Sequence, residues 1–373
     1  MVSVIIAVYN GEKYIADAIE SLLGQTYKDI EIIVADDGST DRTKDIIKKY
    51  KNVKYIYQDR KGEGAARNLG ISISRGKYLC FLDADDLYAI DKIEKQVEIL
   101  ENNKEVFVVY NDLKVVDENL NHINILKSEG IYRNRKILLA QILYRQVIQG
   151  PICMMIRRQC AEDIKWNEKL IYTVDYDYTI NLAQKYNFYY LEEPLYIYRR
   201  HTCNLSNKHK ETLNEEKEII KSIGLHNIEK IVYNTSLSNT EKKILLGKIN
   251  SKISNYKEAI RYFESIDEKD FNDMVYFNLG NCYFKLNDKQ LSQKYYELAI
   301  QKNNLMAEAY NNLGCILASN NKTLALDYFS KAIMLRMEYL DPKINIKNLE
   351  DDTSNLRITE KELRKELTVY NSN

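Results

Sequence analysis

Residues Val2–Val8 read VSVIIAV, and Tyr14–Leu23 read YIADAIESLL. The first is an apolar run of strand length, as a strand buried on both faces requires. The second repeats apolar residues at helical spacing through Tyr14, Ile15, Ala18, Ile19, Leu22 and Leu23. The alternation continues outward from this pair. Ile30–Ala35 reads as a second strand and Asp41–Tyr50 as a helix. Val53–Tyr57, Ala65–Ile73, Tyr78–Leu82 and Asp91–Leu100 repeat strand and helix, and Val106–Tyr110 extends the sheet. This order implies βαβ units and a mainly parallel sheet, an α/β domain. From about 111 to 206 the pattern is less regular. Strand-like Cys153–Ile156 and Leu195–Tyr198 flank a helical Tyr178–Tyr186.

The chain has 373 residues, which suits two domains. Lys+Arg and Asp+Glu are both 54, giving a formal net charge of zero. No basic stripe is visible, so nucleic acid is not an expected partner. No run approaches the length of a membrane helix, and no secretory signal pattern is visible. The six cysteines, Cys80, Cys153, Cys160, Cys203, Cys282 and Cys315, form no CxxC pair and read as buried free thiols. Together these features lead us to expect a cytoplasmic protein, with peripheral contact at the inner membrane face as a further option.

Beyond about 240 the sequence repeats. Leu246-Gly247, Leu279-Gly280 and Leu313-Gly314 lie 33 and then 34 residues apart. Ala259, Ser292 and Ala325 keep a spacing of 33, as do Phe263, Tyr296 and Phe329. A helix–turn–helix unit with these positions resembles the tetratricopeptide repeat. The small residues let paired helices approach closely, and the aromatic is expected to fill the gap to the next unit. Three units are present, and about three are needed for stability. The third is one residue short near 320–323. Thr359 with Glu362 reads as a capping box for a last helix to about Tyr370, which could cap the array. The expected boundaries are 1–206 for the α/β domain, divided at 110, then a helical linker over 207–239. Three repeats over 240–340 follow, with a capping helix and tail over 341–373.

Three motifs carry chemistry. Asp36-Asp37-Gly38-Ser39 follows the second strand, where open α/β sheets bind ligands, although the same residues suit a capped turn. Gly62–Asn68 (GEGAARN) opens a helix with Arg67 one turn in, which suits a phosphate or a plain loop. Asp83, Asp85 and Asp86 crowd three carboxylates into four residues at the end of the fourth strand. Such crowding favours a cation between them, and Mg2+ or Mn2+ bridging a diphosphate would serve; a solvated turn is the plain alternative. The residues after Asp86 do not fit a calcium loop.

Val2–Asn10, Asp36–Ser39, Gly64–Asn68 and Leu82–Asp86, in this order, resemble the nucleotide-sugar half of the family 2 glycosyltransferases, inverting enzymes of GT-A fold. The resemblance covers about residues 2–100 and continues more weakly to about 206. Ala7 stands where the family often has proline. By this resemblance Tyr9 lies against the nucleotide base and Asp37 hydrogen-bonds it. Arg67 and Asn68 lie near the nucleotide. Asp83, Ala84 and Asp85 form the DxD, with Asp85 the direct metal ligand and Asp83 beside it. Asp175, in Val174-Asp175-Tyr176-Asp177, matches the catalytic base, although an acidic residue is expected where Val174 stands. A helix N-cap is the plain reading of Asp175. His201 is a further candidate metal ligand or a lone surface histidine, and Trp166 and Glu168 are candidates for the acceptor pocket.

The function expected is metal-dependent, inverting transfer from a nucleotide-sugar, of which a UDP-sugar is the first candidate. The acceptor would be a glycan, a lipid-linked sugar or a peptide. The repeats would bind that acceptor, a partner protein or a second copy. A different class also fits: a catalytically dead GT-A domain in a repeat-based adaptor, which Val174 favours and the intact DxD opposes.

Overall fold

The computed structural model describes residues 1–128, 134–202, 209–351 and 355–363. The chain divides into two units, Met1–Thr235 and Ser236–Asn373.

The first unit opens with β1 (Val2–Val8), α1 (Ile15–Leu23), β2 (Ile30–Asp37), α2 (Thr43–Ile47), β3 (Val53–Gln58), α3 (Glu63–Ile73) and β4 (Tyr78–Asp83). It continues through β5 (Leu87–Tyr88), α4 (Lys92–Asn102), β6 (Val108–Val116), β7 (His122–Leu126), α5 (Arg135–Tyr144) and β8 (Met155–Arg157). Then come α6 (Arg158–Asp163), α7 (Val174–Lys185), β9 (Phe188–Arg199), α8 (His209–Ile223) and α9 (Leu225–Tyr233). Among the described residues one sheet runs β3-β2-β1-β4-β8-β6-β9-β5, with β7 on β6. The expected parallel pairing holds for β3, β2, β1 and β4. Beyond β4 the sheet is mixed: β8 runs antiparallel to both neighbours, and β6 pairs β9 in parallel.

Burial explains these elements. Val2, Val4, Ile5 and Ile6 of β1 are fully buried, with helices covering both faces. α1 turns Ile15, Ala18, Ile19 and Leu22 onto the same core. Register then aligns the strand ends. Val8 lies opposite Asp36, and Ala7 lies opposite Asp83. The residues that follow these strands therefore share one edge.

Local chemistry shifts some expected elements. α2 is shorter than 41–50, because Asp41 stays outside it and accepts hydrogen bonds from the Thr43 amide and hydroxyl. The strand expected at Cys153–Ile156 begins only at Met155, because Gly150 (φ 90°) and Pro151 start a 3-10 turn. The stretch read as a linker, 207–239, is divided at Thr235: α8 and α9, with Ile220, Ile228 and Val232 buried, belong to the first unit, and the residues from Ser236 to the second. Cys80, Cys153, Cys160, Cys282 and Cys315 are unpaired thiols, and Cys203 lies outside the described residues. Among the described residues no helix is long and apolar enough to cross a membrane.

The second unit pairs α10 (Asn239–Lys252) with α11 (Tyr256–Glu264), α12 (Asp273–Lys285) with α13 (Lys289–Lys302), and α14 (Ala307–Leu317) with α15 (Lys322–Leu335). α16 (Leu340–Asp351) follows and packs on α15. The repeated glycine faces the repeated aromatic of its own pair. A β-carbon on Gly247, Gly280 or Gly314 would stand 2.6, 2.6 or 2.7 Å from the ring of Phe263, Tyr296 or Phe329. The aromatic thus closes its own hairpin as well as reaching the next unit, where Phe263 meets Val275 and Leu279. The helix expected from Thr359 does not form through residue 363, and 364–370 lie outside the described residues. Thr359 is buried, and its hydroxyl donates to Asp341 on α16, so it caps no helix here.

The Tyr296 ring has no room to yield, because its hydroxyl is held by Asn281 and Asn312. Gly280→Ala should therefore lower stability by about 1–3 kcal/mol despite the better helix propensity of alanine. Urea unfolding of the full chain measures this, and an unchanged or raised midpoint would show that the ring moves aside.

Candidate active site

The site is built around a buried guanidinium. Gly62, with φ 100°, turns the chain into α3, and Arg67 follows one helical turn after Glu63. The Arg67 side chain is 2% exposed. Its Nη1 donates to Asp175 Oδ1 at 2.9 Å, and its Nη2 donates to Asp83 Oδ1 at 2.9 Å. Glu63 lies 2.5 Å from Nη2. The guanidinium lies 4.3 Å from the centre of the Trp166 ring, which stacks on Tyr178 at 4.1 Å. A planar fork can hold several carboxylates and an aromatic face at once, which an ammonium cannot do. Burial pushes the Asp83 carboxyl well up; Arg67 opposes this, while Glu63, Asp175 and Asp85 add to it. Burial likewise raises Glu63.

The acidic cluster divides by role. Asp83, Asp85 and Asp86 bring oxygens within 4.8 Å of one another. Asp86 is buried, and its oxygens accept from the Tyr196 hydroxyl and the Arg199 amide, both at 2.7 Å. Asp86 thereby ties β9 to the end of β4. Asp83 and Asp85 are half-buried, with side chains 30% and 31% exposed. His201 Nε2 lies 2.8 Å from Asp85 Oδ2. Two carboxylates with partial solvent access beside an imidazole suit Mg2+ or Mn2+, which leave positions for phosphate oxygens. The donor set therefore fits the expected ion. Ala84 contributes only a methyl group, packed against the core.

Along the same edge, Asp37 accepts from Gln58 Nε2 and from the Lys61 and Gly62 amides at 2.7–2.9 Å. It fixes the loop that starts α3. Arg60 of that loop covers the exposed Tyr9 ring, 3.4 Å from its centre. Asp36 accepts from the Ser39 amide and the Tyr55 hydroxyl. Asn68 faces elsewhere: its amide donates to the Trp166 carbonyl and to Glu168, and its oxygen accepts from the Trp166 amide. Asn68, Trp166, Glu168, Asp177 and Asn181 help line a cleft of about 750 Å³, whose lining includes neither Asp83, Asp85 nor Asp175.

Asp175 is the second residue of α7, and Thr173 occupies the cap position, so the plain N-cap reading does not hold. Its side chain is 35% exposed. A β-carbon at Gly150 would lie 3.3 Å from Asp175 Oδ2, so glycine leaves that oxygen clear. Val174 is buried, and its Cγ1 lies 3.3 Å from where a β-carbon on Gly64 would sit. It is a packing residue between α7 and the start of α3. Glu215 of α8 holds the approach to α7, accepting from the Ile171, Tyr172 and Thr173 amides at 2.8–3.1 Å. The sequence reading missed Glu63, Arg60 and Glu215. Glu63 could have been found from its four-residue spacing to Arg67; Glu215 sits in a charged stretch that gives no such signal.

A half-parallel sheet whose strand ends gather acidic residues, with one carboxylate delivered from the second half, defines a transferase of the GT-A class. The glycosyl transferase family 2 model matches residues 3–165, and a tetratricopeptide-repeat model matches 275–301. An uncharacterized glycosyltransferase of Methanocaldococcus jannaschii is 36% identical over 207 residues, 53% of this chain and 70% of that one. The UDP-Glc:alpha-D-GlcNAc-diphosphoundecaprenol beta-1,3-glucosyltransferase WfaP of Escherichia coli is 45% identical over 115 residues, 30% of this chain and 45% of that protein. Among solved structures, S. aureus TarS 1–349 in complex with UDP-GlcNAc has the same fold, with TM-score 0.54 and 19% identity over 88% of this chain and 90% of that one. The chain belongs to family 2 of the glycosyltransferases.

Replacing Arg67 by Met leaves three half-buried carboxylates without their cation, which should destabilise the first unit by about 1–3 kcal/mol at pH 7. Raised carboxyl pKa values put that penalty in the ionised form, so acidification towards the ordinary carboxylate range should narrow the gap to wild type. Urea titrations of both proteins at several pH values measure this; a gap that widens in acid contradicts it.

Proposed function

We propose that this glycosyltransferase is metal-dependent and inverting, uses a UDP-sugar and takes Asp175 as its base. The observation that carries the reading is the Arg67 bridge, which sets Asp175 across from Asp83 at the end of β4. Asp85 and Asp83, with His201, would hold Mg2+ or Mn2+, which when bound offsets charge growing on the diphosphate. Tyr9 and Asp37 lie at the shared strand edge and would receive the nucleotide base. Arg67 would keep the half-buried Asp175 aimed, since its guanidinium holds one carboxylate oxygen at 2.9 Å.

Asp175 takes the proton of the acceptor hydroxyl. The acceptor oxygen bonds to the anomeric carbon as the bond from that carbon to the diphosphate breaks. The diphosphate leaves with the electron pair, and configuration inverts in one displacement. The UDP choice is supported by UDP-Glc in the name of the E. coli relative and UDP-GlcNAc in the TarS complex. The acceptor class is a glycan, a lipid-linked sugar or a peptide hydroxyl, and the repeat unit offers a surface for an acceptor or protein partner.

Calorimetric titration of UDP with and without Mn2+ tests the donor side. Metal-dependent binding, lost in Asp85→Ala, is expected; equal binding without metal would sink the metal reading. Asp175→Asn should keep UDP binding and lower kcat by roughly 10²–10⁴-fold. Undiminished turnover would remove Asp175 from the mechanism.

A further inference from the structure

Helix α7 begins without a cap of its own. A threonine at the N-cap ordinarily turns its hydroxyl oxygen back onto an amide of the first turn. Thr173 holds that position and makes no such bond. Its hydroxyl donates outward instead, to Glu215 Oε2 of α8 at 2.8 Å. The same oxygen accepts from the Tyr172 and Thr173 amides, both at 2.8 Å, and Oε1 accepts from the Ile171 amide at 3.1 Å. One carboxylate therefore fixes three consecutive backbone groups and one side chain of a loop 42 residues earlier. Burial raises the Glu215 carboxyl, but the Thr173 hydroxyl and the three amides outweigh it and hold it below its ordinary value. It is thus a carboxylate at neutral pH, and its hydrogen bonds are charge-assisted.

The clasped loop is not core that needs pinning. Ile171 and Tyr172 are exposed, at 63% and 36%, and only Thr173 is buried. Water can serve the amides of such a loop, so a shared protein partner adds position more than satisfaction. What lies downstream gives that position its value. The first helical bond of α7 runs from the Asp177 amide to the Thr173 carbonyl at 3.0 Å. Asp175 sits between these two residues, and its Oδ1 meets Arg67 at 2.9 Å. Each residue turns a helix by about 100°, so a slip of one residue at Thr173 would swing Asp175 away from Arg67.

We propose that Glu215 is a positioning residue for the transfer step: it fixes the start of α7 so that Asp175 meets the acceptor hydroxyl. This rests on the reading of Asp175 as the base. Glu215 touches neither donor nor acceptor in this role and acts through Asp175, so donor binding should not depend on it.

The probe reaction is release of UDP from UDP-Glc and from UDP-GlcNAc by the full chain with Mn2+, water serving as acceptor. Glu215→Ala should keep UDP affinity within about twofold and lower kcat by roughly 10–100-fold, the cost of a small misplacement of the base. In an Asp175→Asn background the same substitution should lower kcat less than about twofold further, because the two residues act as a unit. A full second loss in that background would mean a general structural role and overturn the proposal, as would wild-type kcat in Glu215→Ala alone. Undiminished kcat in Asp175→Asn would overturn the reading of the base, and the proposal with it. Thr173→Val covers a Glu215→Ala chain that does not fold, since it removes only the hydroxyl bond. Lowered kcat at unchanged UDP affinity supports the proposal there, and unchanged kcat overturns it. If the wild type turns over neither sugar, the donor reading fails instead, and deuterium exchange at the Asp177 amide decides the clasp. That exchange should quicken roughly tenfold or more in Glu215→Ala while the α3 amides keep their rates. Equal exchange in both proteins overturns the proposal.

Discussion

Arg67 is the constraint on which the transferase unit turns. A guanidinium taken fully out of water is costly unless charge and hydrogen bonds replace its solvation. Here Glu63, Asp83 and Asp175 supply both, and Trp166 covers the face. The three carboxylates come from three elements: α3 itself, the end of β4 and the first turn of α7. None of them could be brought this close to the others without the cation between them. The arrangement is therefore mutual: the arginine is held by the acids, and the acids are held beside one another by the arginine.

The parts written in local sequence were legible before the fold was known. Apolar runs and helical spacing gave the order of the first hundred residues, because β1, β2 and β4 are buried on both faces and the helices on one. The acidic strand end could be read because its crowding is itself unusual. Arg67 was legible only as a candidate near a phosphate. Its partners Asp83 and Asp175 lie 16 and 108 residues away, and no local period reports a contact at such separation. Asn68 shows the opposite difficulty. It sits inside a motif yet turns its amide to the loop carrying Trp166 and Glu168, since neighbouring positions on a helix face different ways.

The second unit was legible for a related reason. Its period repeats a steric demand, glycine against aromatic ring, and the same demand met three times leaves a visible register. The short spacing in the third unit falls where α14 and α15 are joined, outside the packed contacts. What the period could not show is the row of buried asparagines, Asn281, Asn311, Asn312 and Asn345, whose backbone partners follow the last repeat and obey no repeat of their own. At the expected capping box, Thr359 donates to Asp341 and Glu362 pairs with Lys248, contacts that no local spacing reports.

Glu215 carries a consequence for where this protein can be cut or fused. It belongs to a helix that follows the last strand of the sheet, yet it fastens the amides of a loop 42 residues upstream, immediately before Asp175. A module ending with the sheet would contain every motif matched here and lack the clasp on the start of α7. The natural breakpoint for exchanging one appended domain for another lies beyond Thr235. Recombination there passes on an intact catalytic centre, and recombination thirty residues earlier does not.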